Sequence, residues 1–148
     1  MTNNLLRPMQ TADLSAVLLI EREQAFPWSE QMFHECLQVG YECWVIEVDQ
    51  AIIGFGILAI AAGQAELLTI AVRQTNQRQG YARLLLQHLL ALAVQKGAVK
   101  IFLEVRVSNQ AAINLYQQFA FKPIATRENY YQAPFNKRED AIVMMLTI

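Results

Sequence analysis

The sequence predicts an α/β domain in which four helices flank one mixed sheet of about seven strands. Two observations predict this class. Segments with the two-residue periodicity of strands are interleaved with segments that have the 3.6-residue periodicity of helices. Their order is strand, two helices, three strands, helix, strand, helix and two strands, which one sheet can accommodate. Because no linker-like stretch interrupts the 148 residues, we expect a single domain over residues 1–148.

Each element is predicted from its own local signals. Alternating or continuous apolar runs predict strands over residues 5–9, 43–48, 52–62, 65–72, 100–105, 121–131 and 141–148, with 132–140 as the last loop. Apolar stripes and caps predict four helices. The first runs from residue 11 to about 24, the second begins after Ser29, the third covers 81–96 with Gly97 as its C-cap, and the fourth begins at 108–109 and ends at 119. Residues 65–72 are apolar on both faces, as in a central strand.

Composition excludes several classes of protein. The net charge of −1 disfavours a protein held to nucleic acid through phosphates. The first residues have no basic head followed by an apolar stretch, and no apolar run is long enough for a bilayer, so we expect a cytoplasmic protein without a membrane partner. Cys36 and Cys43 are expected to be free, partly buried thiols. His34 and His88 are isolated and expected on helix surfaces, so no metal site is predicted.

The most informative stretch is residues 77–83, between a buried strand and the longest helix. Free backbone N–H groups and the positive end of the helix dipole meet at such a place, which suits a diphosphate. Gly80 permits close approach of a ligand, Ala82 keeps the next turn uncluttered, and Arg78 and Arg83 add positive charge. Taken alone, the segment is equally an ordinary polar loop with one turn glycine.

In context, this stretch resembles the coenzyme-A-binding signature of the GNAT acetyltransferase superfamily. The signature is Ile70-Ala71-Val72, then Gln77-x-x-Gly80-x-Ala82, then a leucine-rich helix. Within the superfamily the chain is similar to the RimI family, bacterial enzymes that acetylate the N-terminal alanine of small-subunit ribosomal protein eighteen. The motifs that carry this similarity are Ala25-Phe26-Pro27-Trp28-Ser29, Leu103-Glu104-Val105-Arg106, Ser108-Asn109-x-x-Ala112-Ile113-x-Leu115-Tyr116, Asn129-Tyr130-Tyr131 and Arg138-Glu139-Asp140-Ala141-Ile142.

The resemblance implies a mostly antiparallel sheet with a splayed central strand pair, and acetyl-coenzyme A (acetyl-CoA) as co-substrate. It implies that a bulge at Ile70, Ala71 and Val72 presents backbone to the pantetheine arm, and that Asn109 also contacts the cofactor. Glu104 would be the general base and Tyr116 the general acid, in direct attack by a protein N-terminus. The residues implied to hold the pyrophosphate are Arg78, Gln79, Gly80, Tyr81, Ala82 and Arg83. Ala120, where a glycine is expected, departs from the pattern without touching these groups.

The two proposed catalytic groups also have structural interpretations. Glu104 lies opposite Leu103 and Val105 on its strand, so it can face a cleft; alternatively it is a surface residue paired with Arg106 or a lysine. As a base it needs a raised pKa or a relay through water, and the sequence does not choose between them. Tyr116 is either an acid for the leaving thiolate or a half-buried aromatic packed among phenylalanines.

Four aromatic residues from two segments are predicted to wall an acceptor groove: Phe26, Trp28, Tyr130 and Tyr131. Glu139 or Asp140 would then attract a basic residue of the acceptor, although plain core packing is the alternative for the aromatics. Other acceptors also stay open, either a lysine side chain or a small-molecule amine. A non-catalytic acetyl-CoA sensor is a second class, which retention of Glu104 and Tyr116 disfavours. A ribosome-associated structural protein is disfavoured by the near-neutral charge.

Overall fold

The computed structural model describes residues 3–148. The strands are β1 (Asn4–Pro8), β2 (Glu42–Val48), β3 (Ala51–Ala61), β4 (Gln64–Val72), β5 (Lys100–Arg106), β6 (Lys122–Ala133) and β7 (Lys137–Thr147). The helices are α1 (Leu14–Glu21), α2 (Glu30–Val39), α3 (Tyr81–Gln95) and α4 (Gln110–Gln118). Two short 3₁₀ turns, Thr11–Asp13 and Gln74–Asn76, precede α1 and the loop before α3.

All seven strands form one sheet in the order β1-β2-β3-β4-β5-β7-β6. Every neighbouring pair is antiparallel except β4 and β5, which are parallel and joined through α3. A parallel pair requires such a crossover, because its strands run in the same direction. The predicted mixed, mostly antiparallel sheet with four flanking helices is therefore confirmed, while the extent of the domain over residues 1–148 stays a prediction.

The helices cover opposite faces of the sheet. Phe55 and Ile57 of β3 pack with the apolar residues of α1 and α2, such as Val17 and Phe33. The intervening Gly54 and Gly56 face α3, because successive residues of a strand point to opposite faces. A Cβ at Gly56 would lie 2.7 Å from Leu89 Cδ1, and one at Gly54 would lie 3.2 Å from Leu85 Cδ1, both on α3. These two glycines let α3 lie close against the sheet.

The β4–β5 ladder is short and ends in the middle of the sheet. Its last pair is Leu67 with Leu103, after which β4 continues to Val72 and β5 to Arg106 without pairing to each other. This separation confirms the predicted splayed strand pair. The bulge, however, was expected at residues 70–72 and lies at Leu68, where the register with β3 shifts. An extra residue there bends β4 away from its neighbour.

The first helix is shorter than predicted. Instead of one helix from residue 11 to about 24, the 3₁₀ turn leads into α1, which ends at Glu21. Asp13 accepts a hydrogen bond from the Gln10 backbone N–H at 2.7 Å and forms an ion pair with Arg7, which fixes the start. At the other end, the chain must turn before Pro27, because a residue that precedes proline avoids the helical conformation.

The last two strands are longer than predicted, and the predicted loop over residues 132–140 is wrong. β6 and β7 continue to the tip of a hairpin, with Tyr131 opposite Glu139 and Ala133 opposite Lys137. The polar composition of this segment hid its strands. Arg138 stabilises them by donating to the carbonyl oxygens of Asn129 and Tyr130, both at 3.1 Å. No helix within residues 3–148 is long and apolar enough to cross a membrane.

Candidate active site

A groove of about 640 Å³ lies between the N-terminus of α3 and α4, on the α3/α4 face of the sheet. It contains nearly all of the residues predicted to bind the cofactor, and Gln79 alone of that set does not line it. We call it the cofactor groove. Its predicted lining residues are Ile70, Ala71, Val72, Arg78, Gly80, Tyr81, Ala82, Arg83, Asn109 and Tyr116.

The loop before α3 has the backbone conformation that an anion site requires. Arg78 and Gly80 both adopt left-handed φ values, 63° and 87°. Gly80 is the N-cap of α3 and has no side chain to accept from the first helical N–H groups, which stay open toward the groove. Gln77, which also lines the groove, donates through Nε2 to the Val72 carbonyl at 3.0 Å and ties the loop to β4. The loop therefore fits a pyrophosphate group.

The end of β4 presents two backbone N–H groups to the gap in the sheet. Arg73 donates its N–H to the Ile53 carbonyl of β3 at 2.7 Å. Because residues of an antiparallel pair alternate in direction, Ile70 and Val72 point their N–H groups away from β3. Beyond Leu67, β5 does not pair with β4, so these groups face the opening. They suit the amide-rich pantetheine arm, as predicted for residues 70–72.

The α4 side of the groove is held by polar side chains. Asn109 caps α4, accepting the Ala112 N–H through Oδ1 at 3.3 Å, so its first function is to start the helix that forms this wall. The Arg83 guanidinium donates to Gln118 and lies over the Phe119 ring, 5.2 Å from its centroid. Arg83 therefore bridges α3 and α4 as well as lining the groove.

Tyr116 is packed in the hydrophobic core and also lines the cofactor groove. Only 7% of the residue is accessible, and its ring meets Phe121 edge to face at 5.9 Å between centroids. Burial raises the pKa of Tyr116 well above its ordinary value, and the nearby Tyr131 raises it further. The phenol therefore keeps its proton at neutral pH, which a general acid requires.

A second groove, of about 360 Å³, lies on the α1/α2 face. It contains all four aromatic residues predicted to wall the acceptor site, together with Ile70 and Ala71, and we call it the acceptor groove. The four are Phe26, Trp28, Tyr130 and Tyr131. Because Ile70 and Ala71 line both grooves, the two meet where the β4–β5 ladder has ended.

Arg106 organises the acceptor groove, a role that no sequence pattern indicated. Its guanidinium carbon lies 4.4 Å from the Tyr131 ring centroid and 5.2 Å from that of Phe26. Its Nη1 donates to Glu139 at 2.9 Å and to the Gln132 carbonyl at 2.6 Å. The sequence feature that could have indicated this role is the position of Arg106 in the Leu103-Glu104-Val105-Arg106 motif, two residues after the proposed base on the same strand.

The expected role of Glu139 and Asp140 in attracting a basic acceptor residue is not supported by their contacts. Arg106 pairs with Glu139, which lowers the pKa of that carboxyl group, and Ser108 N–H adds a weaker bond at 3.3 Å. Asp140 accepts the Asn129 N–H at 2.9 Å. Both carboxylates are occupied in fixing the β6–β7 hairpin beside the groove.

Glu104 lies in a neighbouring cavity of about 390 Å³, with Glu66 and Arg127, and lines neither groove. Its Oε1 is 3.2 Å from Arg127 Nε, so its ion-pair partner is Arg127 and not the expected Arg106 or lysine. The nearby Glu104 carboxylate raises the pKa of Tyr130, which lines the acceptor groove. Tyr130 therefore lies between Glu104 and that groove.

Histidine and cysteine side chains form no metal or nucleophile site in the described chain. Residues 3–148 contain no group of three or more His, Cys, Asp or Glu side chains arranged to hold a metal. His88 was expected on a helix surface, but its Nε2 is buried and its ring packs on Trp44 at 4.1 Å between centroids. Cys36 and Cys43 are free and buried, and burial raises the pKa of Cys43 to about 12, which disfavours its thiolate form.

Comparison with known proteins places this architecture in a family. The model of the Acetyltransferase (GNAT) family matches residues 8–121. The [ribosomal protein bS18]-alanine N-acetyltransferase of Escherichia coli K12 is 39% identical over 146 residues, covering 98% of both chains. The putative [ribosomal protein bS18]-alanine N-acetyltransferase of Bacillus subtilis is 33% identical over 150 residues, covering 99% of this chain and 97% of the relative.

Structural comparison agrees with these matches. The crystal structure of the ribosomal-protein-S18-alanine N-acetyltransferase from Escherichia coli superposes with a TM-score of 0.92 at 38% identity, covering 99% of this chain and 94% of that one. Enzymes of this family use acetyl-CoA. The chain therefore belongs to the GNAT family of acetyltransferases and is an acetyl-CoA-dependent N-acetyltransferase.

Proposed function

We propose that this enzyme acetylates the N-terminal α-amino group of a protein, and that the acceptor is the N-terminal alanine of ribosomal protein bS18. One observation carries the proposal: two grooves on opposite faces of the sheet meet at Ile70 and Ala71. A donor in one groove and an amine in the other can thus come into direct contact. The relatives at 39% and 33% identity are named for this acceptor.

Acetyl-CoA supplies an acetyl thioester, and the chain binds it in the cofactor groove. The open N–H groups at Gly80 and along the first turn of α3 receive the pyrophosphate, with positive charge from Arg78. The N–H groups of Ile70 and Val72 bind the pantetheine arm at the gap between β4 and β5. The N–H of Val72 is also the donor that we assign to the thioester oxygen.

Tyr116 is the general acid in this proposal. Tyr116 lines the cofactor groove, and the raised pKa of its phenol keeps the phenol protonated at neutral pH. The phenol can then donate its proton to the departing thiolate. We assign direct attack, since both cysteines are buried and burial raises the pKa of each thiol.

Glu104 is the general base, and it acts at a distance. Its carboxylate lies outside the acceptor groove, near Tyr130, which lines that groove and whose pKa it raises. A proton from the amine therefore passes by way of the Tyr130 hydroxyl or a water molecule to Glu104. An α-amino group suits this weak relay, because its pKa near 8 is well below the roughly 10.4 of lysine.

The acceptor groove favours a chain terminus. It has a volume of about 360 Å³ and aromatic walls from Phe26, Trp28, Tyr130 and Tyr131. Such walls suit a narrow peptide end with a small first side chain, such as alanine. That the enzyme acts in the cytoplasm, without nucleic acid or membrane partners, stays a prediction.

The test uses two peptides with acetyl-CoA and follows mass gain. One peptide has the free N-terminal alanine and following residues of bS18, and the other has a blocked N-terminus and an internal lysine. We expect acetylation of the first peptide at its α-amino group, and its loss in Glu104→Gln or Tyr116→Phe. Transfer to lysine alone would contradict the α-amine assignment. Binding of acetyl-CoA without transfer to either peptide would instead favour a sensor or another acceptor.

A further inference from the structure

Glu21 is a buried carboxylate in the wall of the acceptor groove, and the proposed mechanism gives it no function. It is the last residue of α1, and only 4% of it is exposed. Its Oε2 accepts the Trp28 N–H at 2.8 Å, which places the aromatic residue Trp28 beside it in the groove wall. One oxygen thus holds the loop between α1 and α2.

The other oxygen of Glu21 has no partner in the described part of the chain. No hydrogen bond to Oε1 is formed within residues 3–148, and no cationic side chain there lies within 4.0 Å of the carboxylate. Oε1 is not fully enclosed by protein, unlike the unpartnered His88 Nε2. Because Glu21 lines the acceptor groove, we infer that Oε1 is accessible from it. A hydrogen-bond acceptor is therefore available to whatever enters.

The charge balance of the groove points to a cationic ligand. Among its lining residues, Glu21 is the one carboxylate and Arg106 is the one cationic side chain. The Arg106 charge is matched by Glu139 at 2.9 Å, so Glu21 carries the unmatched charge. A buried, unpaired carboxylate destabilises the folded protein, and burial accordingly raises the pKa of Glu21. A positive group beside it would offset this cost.

We propose that Glu21 binds the N-terminal ammonium group of the acceptor in the acceptor groove, before that group loses its proton. The inference rests on the proposed α-amine acceptor and adds a residue that selects for it. A blocked N-terminus has no charge and gains nothing from this contact. Glu21 captures the ammonium and does not activate it, because a neighbouring carboxylate favours the charged form of an amine. Proton removal stays with Glu104.

The test compares two peptides that differ only in the ammonium group. One begins with alanine, and the other begins with a propionyl group, which is alanine without its amino nitrogen. Binding is measured by calorimetry with coenzyme A present, so that no transfer occurs. We expect the wild-type enzyme to bind the alanyl peptide roughly tenfold or more tightly, as for a charged hydrogen bond. Equal binding of the two peptides by the wild type would overturn the proposal without any variant.

Glu21→Gln is the informative variant, because its amide oxygen can still accept the Trp28 N–H while the charge is lost. We expect it to bind both peptides about equally, and in turnover to raise the acceptor KM roughly tenfold with kcat little changed. Glu23→Gln is the matched control, since Glu23 also accepts a backbone N–H, from Gln74 at 3.0 Å, but does not line the groove. Retention of the preference in Glu21→Gln would overturn the proposal.

Failure of the proposed function gives a different result. The wild-type enzyme would then leave the alanyl peptide unacetylated in the mass assay, and both proposals would fall. A wild type that acetylates the alanyl peptide, with an unchanged KM in Glu21→Gln, contradicts the role of Glu21 alone. Thermal unfolding of each variant shows that a change in KM does not come from loss of the fold.

Discussion

The two grooves are built from different parts of the chain. The cofactor groove takes ten lining residues from the short span 70–83, where backbone N–H groups of β4 and of the first turn of α3 face it, and has α4 as its far wall. The acceptor groove is lined by residues 21–28, 69–71, Arg106 and 130–132, which are far apart in the sequence, and the aromatic and charged side chains among them give it its character. Backbone groups bind almost independently of residue type, whereas side chains determine which acceptor fits. One region can thus be shared across a family while the other differs among its members.

The largest effect is expected at Tyr116 in the cofactor groove. Tyr116→Phe removes the proposed proton donor and keeps the packing on Phe121, so we expect kcat to fall about 10²–10⁴-fold with acetyl-CoA binding retained. Release of the coenzyme A thiol measures the rate, and calorimetry measures the affinity. A kcat close to that of the wild type would leave Tyr116 a packing residue.

The backbone character of the cofactor groove is tested by two glycines with the same conformation. Gly80 and Gly97 have φ values of 87° and 86°, and a Cβ at either would meet no atom within 4 Å. Alanine at either position should cost roughly 1–2 kcal/mol of unfolding free energy, because L-residues disfavour left-handed backbone. Only Gly80→Ala should also weaken acetyl-CoA binding, by roughly tenfold, since relief of the strain moves the N–H groups that bind the pyrophosphate.

Urea unfolding and calorimetry measure these two quantities separately. Equal acetyl-CoA affinity in Gly80→Ala and Gly97→Ala would show that the loop before α3 does not hold the cofactor.

The side-chain character of the acceptor groove is tested at Arg106. Arg106→Lys keeps the charge but loses the planar group that stacks on Tyr131 and Phe26, contacts that contribute about 0.5–2 kcal/mol. We expect the peptide KM to rise roughly threefold to tenfold, while the affinity for acetyl-CoA stays unchanged. Steady-state kinetics with each substrate varied in turn measures both. A matching loss of acetyl-CoA affinity would mean that the grooves are not independent.

The smallest expected effect is on stability, through Glu21. Because burial raises its pKa, the folded protein binds more protons than the unfolded chain between the two pKa values, so wild-type stability falls as pH rises through the raised one. Glu21→Gln lacks this loss. We expect it to unfold at a slightly higher temperature than the wild type at pH 8, with the difference shrinking as pH falls toward 4. A lower midpoint at pH 8 would indicate that the carboxylate is favourably paired.

The candidate cofactor loop can be recognised from a local pattern, whereas Arg106 in the acceptor groove cannot, for a physical reason. Gly80 and the leucine-rich helix form one local pattern, so the position of the anion site follows from neighbours in sequence. Arg106 acquires its function only when β5, the α1–α2 loop and the β6–β7 hairpin come together. No local pattern contains that contact.

The same reasoning explains the errors in the fold. The hairpin strands that carry Arg138 and Glu139 looked like a loop because their stabilising partners are Asn129, Tyr130 and Arg106, on other segments. Glu21 was passed over because an acidic residue at the end of an apolar helix usually faces solvent, and its burial depends on the distant strands β4 and β6. The bulge at Leu68 lies within an apolar run in which no residue marks the change of register.

The early end of the β4–β5 ladder has a consequence for the order of events in turnover. In the proposed complex, donor and acceptor occupy different grooves that meet at this gap, so neither ligand has to pass the other to enter or leave. A single compound that joins coenzyme A to an alanyl peptide would have to pass through the sheet, and both faces would hold it at once.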